Sequence, residues 1–192
     1  SSGKQGHAIA QAAADAGAEV TLITTTSLPA PCFSTVIHVQ TAAEMHAAVM
    51  QEIESADLLV MAAAVADFRP AQPALDKIKK DRGLPVIELE PTIDILQSVA
   101  ESRDRSGQPK RVIGFAAESR DLLDNATAKL EHKKLDMIVA NDISQPDAGF
   151  EVDTNRVTFL FPDGSTLPLP KMSKDEVAEA IIERVIPWFA AE

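Results

Sequence analysis

The sequence predicts an α/β fold with a mainly parallel, doubly wound sheet, and three observations carry that prediction. Short β-branched runs alternate with Ala- and Leu-rich stretches of helical period along most of the 192 residues, the pattern of successive βαβ units. The run Leu58 to Val65 is apolar at every position, as a central parallel strand covered on both faces must be. Helix caps and turn residues fall between these runs rather than inside them. A hydrophobic fraction of 45% and a charged fraction of 24% are ordinary for one globular domain, expected here over 1–192.

The elements follow in order. The Ala-rich stretch His7 to Gly17 reads as a packed helix ended by Gly17, a residue free to take the left-handed conformation a C-terminal turn requires. Val20 to Thr25 and Val36 to Val39 read as short buried strands around a Pro-containing loop. Thr41 with Glu44 three residues on forms a capping box, so a helix runs to about Ser55. After the strand Leu58 to Val65, the segment 68–84 has two prolines and five basic residues and is expected to be a mobile basic loop. Val86 to Leu89 is a strand, Ile93 to Glu101 a helix, and Ser102 to Pro109 a polar linker. Val112 to Phe115 is a strand, Leu122 to Lys134 a helix and Met137 to Ala140 a strand, with Asn141 to Glu151 irregular. Val157 to Phe161 and Leu167 to Leu169 flank Asp163-Gly164, a hairpin signature. This C-terminal β-hairpin excursion, 152–170, breaks the βαβ alternation and is expected to be a subdomain or a dimer contact. Ser173 and Glu176 make a second capping box for a final helix to about Phe189.

Charge and cysteine content narrow the function classes. Eighteen Lys and Arg against 29 Asp and Glu give a net charge of −11, which repels nucleic acid and anionic membranes. No apolar run approaches the roughly 18 residues a bilayer span needs. The single Cys32 excludes an intramolecular disulfide framework and fits a reducing, cytoplasmic setting. Its Pro-flanked loop carries no nucleophile signature, and His7, His38, His46 and His132 have no metal-ligand spacing. Against this acidic background two cationic groups stand out: Arg69, Lys77, Lys79, Lys80 and Arg82, then Lys129, Lys133 and Lys134. They point to a small anionic ligand. In open α/β sheets such ligands sit beyond the carboxyl ends of the strands, so the segments 66–84, 90–94, 115–120 and 141–151 are the ones to weigh.

Four motifs qualify. Ser1-Ser2-Gly3-Lys4-Gln5-Gly6 opens a helix, where glycines and free N–H groups can take phosphate oxygens; the alternative is a Ser-capped turn. Ala62 to Pro70 puts small residues and then Asp67 at a strand end, either for a ligand lying on the backbone or for helix packing and a capped turn. Lys77-Ile78-Lys79-Lys80 is either a solvated run or, on a loop after a strand, a lid that closes on an anion. Gly114-Phe115-Ala116-Ala117-Glu118 precedes Lys129 and Lys133, which share a helix face at i and i+4 and have no acid in the sequence placed to pair both. Phe115 either stacks on a base or fills core.

These motifs, with Ala140-Asn141-Asp142, occur in one order over the entire chain. In that order and spacing the sequence resembles the phosphopantothenoylcysteine synthetase domain of the bacterial bifunctional coenzyme A biosynthesis flavoprotein. The resemblance implies a Rossmann-like, dimeric enzyme that joins 4′-phosphopantothenate to cysteine with CTP and Mg²⁺, through an acyl-cytidylate. It implies nucleotide contacts from Ser1, Gly3, Gly6, Asp67, Lys77, Thr92, Ile93, Asp94, Ile95, Phe115, Lys129 and Lys133. It implies phosphopantothenate contacts from Ala63 and Ala64, and a catalytic role for Lys77. No residue is assigned to a metal directly; Mg²⁺ comes with CTP. The family pattern has Pro where Ile93 stands. Its functional Asn and Arg fall before Ser1, so a longer chain, with a fused or associated decarboxylase flavoprotein domain, is expected, and these residues alone should bind nucleotide but turn over poorly. Outside the resemblance, two readings remain: a nicotinamide- or flavin-dependent oxidoreductase, disfavoured because no Gly-x-Gly-x-x-Gly follows a strand, and a non-catalytic dimeric scaffold.

Overall fold

A computed structural model of the chain describes residues 2–73, 86–118, 122–142 and 154–190. The fold begins with helix α1 (Lys4–Asp15), strands β1 (Val20–Thr24) and β2 (Ser34–His38), helix α2 (Ala42–Glu52) and strand β3 (Leu58–Met61). Strands β4 (Phe68–Pro70) and β5 (Leu89–Pro91) precede α3 (Ile95–Ser106), β6 (Arg111–Glu118), α4 (Leu122–His132) and β7 (Met137–Asp142). The chain closes with β8 (Thr154–Asn155), β9 (Val157–Leu160), β10 (Thr166–Pro168), β11 (Met172–Ser173) and α5 (Lys174–Phe189).

The local signals act where they were expected. Ala18 N–H bonds Ala13 O and Gly17 N–H bonds Ala14 O, with Gly17 at φ 87°. That is a Schellman turn, and glycine takes its left-handed position without a Cβ penalty. Both capping boxes form: Thr41 with Glu44 starts α2 and Ser173 with Glu176 starts α5. At the hairpin, Asp163 Oδ1 accepts from Ser165 N at 2.9 Å.

The central sheet has the order β10-β9-β7-β6-β3. Strands β3, β6 and β7 pair in parallel, and β9 and β10 add antiparallel, so the sheet is mixed. β1 and β2 form their own parallel pair. Alternation along the strands supplies two cores. Val112, Ala116, Ile138, Ala140 and Leu160 face α2, α3 and α4. Ile113, Met137, Val139, Val157 and Phe159 face α1 and α5. Helices thus cover both faces, and every buried strand residue has an apolar partner layer.

Several expectations are corrected. β3 is shorter than Leu58 to Val65 and pairs only with β6 among the described residues. It is apolar because helices cover both its faces, not because it is central. Phe68 to Pro70 is strand rather than loop, paired with β5 in the register Phe68↔Pro91, Arg69↔Glu90 and Pro70↔Leu89; residues 74–84 of the basic segment lie outside the described residues. α3 runs on through Ser102–Ser106, which read as a linker, because Arg103 anchors its last turn (below). α4 stops at His132, since Lys134 turns left-handed at φ 51°. The segment 152–170 is no separate subdomain: β9 is buried in the main sheet between β7 and β10. With both its edges taken, β9 cannot pair across subunits.

Candidate functional site

The parallel strands β3, β6 and β7 end at one rim, and two groups of residues gather there. The first surrounds the start of α1. Gly3 is the N-cap residue at φ 74°, with no side-chain cap on the helix. A Cβ on Gly3 would stand 2.6 Å from Thr26 Cγ2, so glycine is required twice, by conformation and by the close approach of the β1 carboxyl end. Glycine at the N-cap thus brings no side-chain acceptor of its own to the first turn. A Cβ on Gly6 would meet nothing within 4 Å, so nothing within the chain demands a glycine there. Gln5 ties this end of α1 to the rim: it accepts from Asn155 Nδ2 at 2.9 Å and donates to Lys174 O at 3.0 Å. His7 Nδ1 meets Gly3 O at 3.0 Å.

The second group surrounds the start of α3. Asp94 is the N-cap, its Oδ1 accepting from Gln97 N at 3.0 Å. Its Oδ2 accepts from Lys133 Nζ at 2.7 Å. Burial alone would raise the Asp94 carboxyl, but hydrogen bonds from Lys133 and the Gln97 amide, with the charges of Lys133 and Lys129, outweigh it and hold the group below its ordinary 3.8. Lys129 Nζ donates to Phe115 O at 2.7 Å. Thr92 N donates to Asp67 O at 2.9 Å, and Thr92 Oγ1 donates to Ala66 O. These bonds fasten the segment after β3 to the segment before α3.

Asp67, Thr92, Asp94, Lys129 and Lys133 thus converge, with particulars the sequence did not show. Lys133 has an acid partner, Asp94, distant in sequence, whereas Lys129 bonds the Phe115 carbonyl. The Phe115 side chain packs with the α1–α5 core, on the sheet face opposite Lys129, so only its carbonyl joins this group. Ile95 is 3% exposed and can offer a ligand only backbone, whereas Ile93 is exposed. Ala63 and Ala64 are exposed in the turn leaving β3. Ser1 and Lys77 lie outside the described residues.

One further rim residue was quoted in a motif but given no role. Asn141, near the end of β7, is 8% exposed, and its Oδ1 has no hydrogen-bond partner. By alternation with Val139 it lies on the α1 face. A buried unpaired acceptor is costly, and a polar residue ending a buried apolar strand was the signal that could have found it. Among the described residues no group of three or more His, Cys, Asp or Glu is placed to hold a metal ion, and no helix is long and apolar enough to cross a membrane.

Residues 1–188 match the family model described as DNA/pantothenate metabolism flavoprotein, C-terminal domain. The chain belongs to this family. It is 43% identical over 199 aligned positions to the coenzyme A biosynthesis bifunctional protein CoaBC of Mycobacterium bovis, covering 99% of this chain and 47% of that protein. It therefore spans about half the length of the curated relatives it matches. A crystal structure of the C-terminal domain of a CoaBC superposes with a TM-score of 0.81 at 37% identity, over 100% of this chain and 85% of the other. A Cab2 mutant in complex with phosphopantothenate-cysteine shares the fold at a TM-score of 0.61 and 18% identity, over 82% of this chain and 55% of that one. The rim just described is accordingly the carboxyl-end rim of a CoaBC-type C-terminal domain.

Proposed function

We propose that this chain is the amide-forming domain of a coenzyme A biosynthesis enzyme, ligating 4′-phosphopantothenate to L-cysteine with CTP. The observation that carries the reading is the rim itself: an uncapped helix start at Gly3 and a lysine-bearing group at Asp94, in a family whose CoaBC members are named for coenzyme A biosynthesis. Carboxylates are poor acyl donors. A phosphopantothenate carboxylate oxygen attacks the α-phosphorus of CTP, and pyrophosphate leaves. The cysteine amine then attacks the acyl carbon, loses its proton, and CMP leaves. The first step brings two anions together, so the chain must position them and neutralise charge.

The α1 start takes triphosphate oxygens with the N–H groups of its first turn, and the open space at Gly6 admits them closely. Lys129 and Lys133 add positive charge, and Asp67, Thr92, Ile93, Asp94 and Ile95 meet the nucleoside through backbone and polar groups. Asn141 Oδ1 accepts a hydrogen bond from the nucleotide. Lys77 contacts the activated acyl group. Ala63 and Ala64 let phosphopantothenate lie against backbone. Mg²⁺ travels with the triphosphate and neutralises it. The protein acts in the cytoplasm as a homodimer beside a decarboxylase domain. Its subunit contact is the β4–β5 ribbon, where Phe68, Val86, Ile87 and Leu89 are all at least 60% exposed; a lone two-stranded ribbon is marginal in water.

The test is CMP and pyrophosphate release by the full-length protein with CTP, Mg²⁺, phosphopantothenate and cysteine, with product mass read alongside. CMP release that depends on cysteine, and loss of turnover by orders of magnitude in Lys77→Gln, support the reading. CMP release without cysteine, or hydride transfer from a dinucleotide, overturns it.

A further inference from the structure

At the opposite end of the sheet, where β6 and β7 begin, lies a cavity of about 530 Å³. Its walls include Arg103, Lys110, Arg111, Lys134, Trp188 and Phe189. In a chain of net charge −11, this is a local concentration of cations beside two aromatic rings. Arg103 is structurally committed: it donates to Lys134 O, Lys110 O and Asp136. Arg111 is not. Its Nη1 bonds Asp136 Oδ1 at 2.8 Å, and its guanidinium lies 5.7 Å from the Trp188 ring centroid. Among the described residues the rest of its five-donor fork meets no other acceptor. Asp136 is one carboxylate set against two guanidiniums, so the pair of arginines keeps a net positive charge. Lys110 and Lys134 stand at the mouth, each partly exposed and paired with the exposed carboxylates Asp57 and Asp104, contacts that water weakens and a stronger anion can displace.

We infer that this cavity binds a small phosphorylated molecule with a planar ring, of the mononucleotide class. The phosphate meets Arg111, Lys110 and Lys134, and the ring lies against Trp188 and Phe189. The volume lies within the roughly 300–1,000 Å³ of small-molecule sites, and a guanidinium fork beside an aromatic face suits a phosphate and a base together. This site is separate from the Asp94 rim. The two lie at opposite ends of α3, whose 12 residues span roughly 18 Å at 1.5 Å per residue. The successive lysines Lys133 and Lys134 reach to those opposite ends, to Asp94 and Asp104.

Trp188 is the only tryptophan in the chain, so its fluorescence reports on this cavity. Adenosine 5′-monophosphate is titrated into this 192-residue chain, with inorganic phosphate and adenosine as separate arms. The expected result is a saturable change in Trp188 emission, with AMP binding at least about tenfold tighter than either part. Lys110→Ala with Lys134→Asn, two rim changes of which Asn tolerates the left-handed backbone of position 134, should weaken AMP at least about tenfold. Arg111→Gln should do the same, while Lys133→Met, at the other rim, leaves it unchanged. No saturable change at millimolar AMP, or the same affinity in the rim double variant, overturns the proposal. Equal weakening by Lys133→Met also overturns it, because AMP is then reading the Asp94 site. Ligase turnover enters none of these readouts, so failure here leaves the proposed function untouched.

Discussion

Lys133→Met separates the work of the Asp94 rim in folding from its work in binding. In the free protein the Lys133 ammonium is 16% exposed and its partner Asp94 is 54% exposed. A pair with one partner in water contributes at most about 1 kcal/mol to stability. Met keeps the apolar stem, and Asp94 keeps its bond to Gln97 N, so the α3 cap survives. A charge-assisted hydrogen bond to a phosphate is worth about 1.5–3 kcal/mol. Lys133 must partly give up Asp94 to make it, which returns about 1 kcal/mol. The balance, about 0.5–2 kcal/mol, is roughly a 2- to 30-fold loss in CTP affinity. Calorimetric titration of CTP at low and physiological salt, with urea unfolding in parallel, measures both quantities. The loss should be larger at low salt, where the charge is less screened. Unchanged affinity at both salt concentrations, or a stability loss of several kcal/mol, would refute the assignment of Lys133 to the ligand rather than to the fold.

The other expectations concern the scaffold around the rim. Gly114→Ala places a Cβ 2.6 Å from Leu135 Cδ1 inside the core; it should cost about 1–3 kcal/mol by overpacking, and Leu135→Ala in the same chain should recover part of it, as urea midpoints would show. Asp136→Asn removes the shared partner of Arg103 and Arg111 while Val112 N–H still points at the side chain; with Asp136 only 13% exposed, a loss of about 3 kcal/mol is expected by thermal or urea unfolding. Lowering the pH should weaken the Asp94–Lys133 contact by protonating Asp94. Because the folded carboxyl titrates below its ordinary 3.8, its contribution is present above that value and is lost only as pH falls through the lower folded one. In Asp94→Asn that acid step should be absent from the pH dependence of stability.

Much of this protein was legible before folding was considered. Capping boxes, the Gly17 turn and the Asp163-Gly164 hairpin are local codes, written in residues three or four apart, and each formed as read. The apolar runs at Val112 to Phe115, Met137 to Ala140 and Val157 to Phe161 were legible as strands, while the face each residue takes came from the fold. Candidate site residues were legible as motifs, because small residues and lysines beyond strand ends have few packing reasons to be there. The β4–β5 ribbon was not legible: three-residue strands, mostly exposed and with prolines, carry no periodicity, and their pairing spans about twenty residues of sequence. The last turn of α3 was missed for a similar reason. Its residues are polar, and only Arg103 reaching Lys110 O, Lys134 O and Asp136 keeps that turn helical.

Sequence alone therefore determined most helices and strands and their caps, and pointed to the strand ends as the candidate site, because these follow from short-range backbone preferences and from burial. Tertiary structure alone decided which cation meets which anion. It joined Lys133 to Asp94, turned the Phe115 ring away from Lys129, left Asn141 Oδ1 without a hydrogen bond and gathered Arg111 and Trp188 at the far end of the sheet. Such pairings depend on separations of a few ångströms between residues tens of positions apart, and no spacing along the chain encodes them.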